Sequence, residues 1–126
     1  MSVTGVRILL VDDELALLQL LEKYLKRNGH EVETHAKSID ALESFEANPD
    51  RYDLVIADLR MPDLPGDSML TRMLEIKPSL KILICSGTPL LLSRLPPGLE
   101  KQVVFLQKPF LPKMIAEALE KLLGAG

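Results

Sequence analysis

Cysteine occurs once, at Cys85, so an intrachain disulfide is excluded and the fold must be held by packing. A lone cysteine suits a reducing compartment, and a cytoplasmic location is expected. No apolar run approaches the roughly 18–20 residues of a membrane span. Met1 to Val6 lacks a basic end followed by an apolar stretch, so no signal peptide is expected. Positive charge is in deficit: 15 Lys and Arg stand against 18 Asp and Glu, for a net charge of −3 and a pI near 5.4. That balance disfavours a nucleic-acid surface, which would show a basic patch. The densest basic group, Lys23, Lys26 and Arg27, falls on the polar side of a predicted helix and reads as a solvated face. Neither G-x-x-x-x-G-K-[ST] nor G-x-G-x-x-G occurs, so a phosphate-cradling nucleotide loop is missing. Internal repeats and low-complexity segments are also lacking.

What is present is an ordinary packed composition, with 47% hydrophobic and 26% charged residues in 126. The length predicts one domain over residues 1–126. Four short runs rich in Val, Ile and Leu stand out: Val6 to Val11, Leu54 to Ala57, Ile82 to Cys85 and Val103 to Leu106. Each is too short for a helix and reads as a parallel strand covered on both faces. Glu31 to Thr34 alternates polar and apolar, which suits an edge strand with one wet face.

Helical stripes lie between the strands. Leu17, Leu18, Leu21, Tyr24 and Leu25 make the first, stopped by Asn28-Gly29. Ile39, Leu42 and Phe45 make the second, with Ser38 as the expected N-cap. Met69, Leu70, Met73 and Leu74 make the third, ended by Pro78. Met114, Ile115, Ala118, Leu119 and Leu122 make the last, with Pro112 in its first turn. These methionines read as core filler. Alternating strands and helices with short connections predict a doubly wound α/β domain, whose ligands bind beyond the C-terminal strand ends.

Those ends carry Asp12-Asp13-Glu14, Asp58, Ser86 and Lys108. One acidic pair would be weak evidence, because Asp is a good helix cap and Asp12 or Asp13 can serve as one. Ser86 alone reads as a turn residue, and Lys108 alone as a surface lysine. Several carboxylates, a hydroxyl and a lysine on one rim are harder to explain separately. Clustered carboxylates repel, and a hard divalent cation such as Mg²⁺ relieves the repulsion. A carboxylate can attack phosphorus to form an aspartyl phosphate. Lys108 can neutralise the phosphoryl oxygens, and Ser86 can donate to them.

Ile8-Leu9-Leu10-Val11-Asp12-Asp13-Glu14, Asp58-Leu59-Arg60-Met61-Pro62 with Gly66, Ser86-Gly87 and Lys108-Pro109-Phe110 resemble the two-component response-regulator receiver family, in the expected order over nearly the whole chain. The resemblance implies a five-stranded parallel sheet of order 2-1-3-4-5 with five helices on both faces. It implies Asp58 as phosphoacceptor, and Mg²⁺ held by Asp13, Asp58 and the Arg60 backbone carbonyl, with Asp12 acting through water. It implies Lys108 in contact with the phosphoryl group, and Ser86 and Phe105 as switch residues. Phe105 reads equally well as a packed strand aromatic. Arg60 and Thr88, two residues beyond Asp58 and Ser86, are expected to border the phosphoryl group and modulate its lifetime. The implied partner is a sensor histidine kinase or phosphotransfer protein, with no nucleic acid and no membrane. The chain is then a signalling phosphoacceptor that catalyses only its own phosphorylation and dephosphorylation.

Three alternatives weigh less. An aspartate-nucleophile phosphatase would carry a second Asp two positions after Asp58, where Arg60 stands. A receiver fold that no longer takes phosphate would lack one of the site groups. A histidine phosphocarrier would need an exposed, well-placed His, whereas His30 and His35 flank the edge strand and read as ordinary surface residues. The family's output face, including a homodimer surface from the fourth to the fifth helix, is the part expected to differ. Pro96-Pro97-Gly98 breaks the fourth helix, predicting a short helix up to Leu95 and an irregular loop to Gln102.

Overall fold

The computed structural model describes residues 4–87 and 95–124. Five parallel strands form one sheet: β1 (Arg7–Val11), β2 (Glu31–His35), β3 (Leu54–Ala57), β4 (Lys81–Ser86) and β5 (Val103–Gln107). Their spatial order is β2-β1-β3-β4-β5, as expected. All four residues of β3 are buried, which accounts for its unbroken Leu-Val-Ile-Ala run. β2 lies at an edge and is only half-buried, in keeping with its alternation.

Four α-helices lie among the described residues: α1 (Leu15–Arg27), α2 (Ser38–Ala47), α3 (Gly66–Ile76) and α4 (Pro112–Leu119), the last running into a π-helical turn at Glu120–Gly124. The α4 segment is the one expected as a fifth helix. The expected fourth helix, up to Leu95, falls almost wholly outside the described residues. From Leu95 to Gln102 the chain makes turns, as the Pro-Pro-Gly break requires.

Two cores flank the sheet. Leu9, Val11, Val55 and Ile84 pack with Phe45 of α2 and with Met69, Leu70 and Met73 of α3. Ile8, Leu10, Ile56 and Leu83 pack with Leu21 and Leu25 of α1 and Ile115 and Leu119 of α4. Each fully buried aliphatic side chain contributes about 1.5–3 kcal/mol. The sheet therefore has the stability to hold charges packed at its rim.

Two local expectations need correction. Ser38 is not the N-cap of α2; it is the first helical residue, and its buried hydroxyl has no hydrogen-bond partner. Asp63, from the loop after β3, caps the helix instead, accepting from the Ser38 N–H at 3.2 Å and the Ile39 N–H at 2.9 Å. The histidines are not ordinary surface groups. His30 is buried, with Nδ1 accepting from the Val6 N–H, and burial pushes its pKa down. His35 is half-buried against Glu33, with Nε2 2.8 Å from Oε2. Before α4, Leu111 offers no capping oxygen, and its N–H reaches Met114 Sδ at 3.5 Å.

Slight burial pushes the Asp63 carboxyl up, but backbone N–H groups, those of Ile39 and Ser38 foremost, outweigh it and hold the pKa below the ordinary value. A depressed carboxylate stabilises above its unfolded pKa and loses that contribution as pH falls through the folded one. Asp63→Ala is expected to lower stability at pH 7 by about 0.5–1 kcal/mol, the lower part of the capping range because the site is exposed. Urea denaturation checks this, and the difference from the parent chain should vanish in acid below the folded pKa of Asp63.

Candidate functional site

The sheet ladders carry the acidic residues to their places. The Asp12 N–H donates to the His35 carbonyl and the Asp58 N–H to the Val11 carbonyl, so each aspartate extends its strand by one residue. Ser86 closes β4, and its carbonyl accepts from the Lys108 N–H at 3.0 Å. Lys108 thereby leaves β5 level with the two aspartates. A cis peptide joins it to Pro109.

Lys108 Nζ donates to Asp12 Oδ2 at 2.8 Å, Glu14 Oε1 at 2.7 Å and Asp58 Oδ2 at 3.0 Å. An ammonium has three N–H donors, so these three carboxylates use them all. The other oxygens of the two buried aspartates are held by backbone: Asp12 Oδ1 accepts from the Glu14 N–H and Asp58 Oδ1 from the Arg60 N–H. Asp12 therefore shapes the turn before α1, while Glu14 occupies the helix boundary itself.

Burial sets the electrostatics. It pushes the Asp12 carboxyl up, against the lowering effect of Lys108 and the Glu14 N–H, and the nearby Asp58 adds to the rise. Burial also works against the Lys108 charge, but the hydrogen bonds to Asp12, Glu14 and Asp58 outweigh it and hold the pKa above the ordinary lysine value. Cys85, on β4 beneath the site, is pushed up to about 12 by burial and then by Asp12, so its thiol stays protonated and packs as an apolar group.

Of the expected site residues, Asp12, Asp58, Ser86 and Lys108 come together at the rim. Asp13 and Arg60 are exposed beside it. Phe105 is half-buried on β5 and packs against the core on the α2 and α3 side. Thr88 lies outside the described residues. Glu14 was given no role from sequence, yet among the described residues Asp12, Glu14 and Asp58 are the carboxylates with oxygens within 4.8 Å of one another. The two buried aspartates of this set are oxygen donors that suit a hard cation, while the exposed Glu14 is engaged by the Lys108 ammonium.

Gly66 fits the site from below. Its N–H donates to the Leu59 carbonyl, and a Cβ on it would lie 2.1 Å from the Asp58 carbonyl oxygen and 2.7 Å from Leu59 Cα. Only glycine lets the start of α3 approach the Asp58 backbone this closely.

The family model of the response regulator receiver domain matches residues 8–120. The chain belongs to the response regulator receiver family. Chemotaxis protein CheY of Thermotoga maritima is 30% identical over 122 residues, covering 93% of this chain and 97% of that protein. The two-component response regulator ARR11 of Arabidopsis thaliana is 42% identical over 69 residues, 55% of this chain but 13% of the plant protein, so the chain spans a small part of such relatives. Among solved structures, a response regulator receiver protein from Sinorhizobium medicae superposes with a TM-score of 0.84 at 30% identity, covering 96% of each chain. Receiver domains are the phosphoacceptors of two-component signalling, and this receiver shares their sheet order.

Gly66→Ala forces the Asp58 backbone or the start of α3 to move. The expected loss is about 1–3 kcal/mol, the range for overpacking. Chemical denaturation measures it, and backbone amide shifts of Asp58 and Leu59 should change most.

Proposed function

We propose that Asp58 takes a phosphoryl group from a phosphohistidine on a sensor histidine kinase or phosphotransfer protein, in a Mg²⁺-dependent reaction. The observation that carries this is the placement of Asp58. Its buried carboxylate stands one residue beyond the central strand, held by the Arg60 N–H and facing the Lys108 ammonium. In the transfer, an Asp58 oxygen attacks phosphorus, a P–O bond forms and the P–N bond to the donor breaks. The chemistry asks mainly for positioning and neutralised charge, which a rigid rim supplies.

Asp13, Asp58 and the Arg60 carbonyl would hold Mg²⁺, with Asp12 acting through water. Bound there, the ion would offset the carboxylates and the phosphoryl oxygens. Lys108 contacts a phosphoryl oxygen, and Ser86, at the buried end of β4, donates a hydrogen bond to another. Ser86 and Phe105 then change position to alter the output face, as β4 and β5 pair directly at Ile84 and Phe105. Arg60 shields the phosphoryl group from water and lengthens its lifetime, a role shared with Thr88. The chain acts in the cytoplasm as a phosphoacceptor that catalyses only its own phosphorylation and dephosphorylation.

Incubation with acetyl phosphate and Mg²⁺ is expected to add one base-labile phosphoryl group, read by intact mass. Asp58→Asn should abolish the label, and Arg60→Ala should hasten its decay. Full labelling of Asp58→Asn would refute the acceptor assignment.

A further inference from the structure

Lys108 has no donor to spare. Its three N–H groups are spent on Asp12, Glu14 and Asp58, at 2.8, 2.7 and 3.0 Å. A phosphoryl oxygen arriving at Asp58 can bond this ammonium only by displacing one of the three. The candidates differ in what displacement exposes. The Asp12 and Asp58 side chains are 3% and 8% exposed, whereas Glu14 is 60% exposed. Asp12 and Asp58 also have their second oxygens tied to backbone N–H groups, which keeps both carboxylates at the rim. Glu14 returns its carboxylate to water at little loss, since a solvent-exposed ion pair is weak. It sits at the start of α1, 94 residues from Lys108 in sequence, so its release leaves both strand ends undisturbed.

Building on the acceptor assignment of Asp58, we propose that Glu14 is a positioning residue that holds Lys108 aimed into the site and yields its place on the ammonium to a phosphoryl oxygen. The exchange is Glu14 carboxylate for phosphoryl oxygen at one Lys108 N–H. Glu14 thereby opposes phosphorylation while keeping the lysine preorganised. It touches neither the attacking oxygen nor phosphorus.

Beryllofluoride, a phosphoryl mimic that binds carboxylates without turnover, is the probe, with affinity read by ¹⁹F NMR in saturating Mg²⁺. Glu14→Gln is expected to bind it about three- to fivefold more tightly, the upper part of the range for an exposed ion pair. Mg²⁺ affinity without beryllofluoride, measured by calorimetry, should change less than about twofold, within the scatter of single substitutions. In a Lys108→Ala background the gain from Glu14→Gln should shrink below about twofold, because the competition acts through that ammonium. Equal beryllofluoride affinity in the parent chain and Glu14→Gln overturns the exchange. So does an equal gain without Lys108, which marks plain charge repulsion. A large loss of Mg²⁺ affinity in Glu14→Gln also overturns it, by making Glu14 a metal ligand. No binding by the parent chain would remove the acceptor assignment itself and the exchange with it, which separates the two failures.

Discussion

One ammonium holds three carboxylates at the C-terminal rim of the sheet, and the geometry of the site follows from that contact. Asp12 and Asp58 are buried because they extend β1 and β3, whose backbones leave them no other place. A buried carboxylate without a partner would be strongly unfavourable. Lys108 supplies the partner, and it reaches both aspartates because its own N–H is tied to the carbonyl of Ser86 on the neighbouring strand. Sheet order thus decides charge pairing: β1, β3, β4 and β5 lie side by side, and each contributes one group.

The arrangement leaves a tension. Burial raises the Asp12 carboxyl pKa in the folded chain, so the folded state favours its protonated form. Stability from this group is present below its unfolded pKa and falls as pH rises toward the folded value. At neutral pH the burial of Asp12 therefore costs stability, which the two apolar cores offset.

Most of the scaffold was legible because its signals are local. β3 and β4 are buried on both faces and show as unbroken apolar runs, and edge strand β2 shows by alternation. The rim was legible because strand ends in a doubly wound sheet converge, so the sequence alone groups Asp12, Asp58, Ser86 and Lys108. What escaped depends on distant pairs. Asp63 caps α2 from 25 residues away, which is why Ser38 was misread as the cap. Glu14 meets Lys108 across 94 residues, and sequence offers no sign of whether such an exposed acid turns inward. His30 looked solvated because what engages its ring is the Val6 N–H, 24 residues away, and no pattern around His30 signals that contact.

Stability of Lys108→Met in urea at pH 7, with and without Mg²⁺, tests the dependence on this contact most directly. Without Mg²⁺ the variant should lose about 2–4 kcal/mol, somewhat under the usual effect of breaking a buried pair because Glu14 is exposed. Saturating Mg²⁺ should restore more stability to the variant than it adds to the parent chain. Unchanged stability of Lys108→Met without Mg²⁺ would contradict the view that this ammonium holds the acidic rim together.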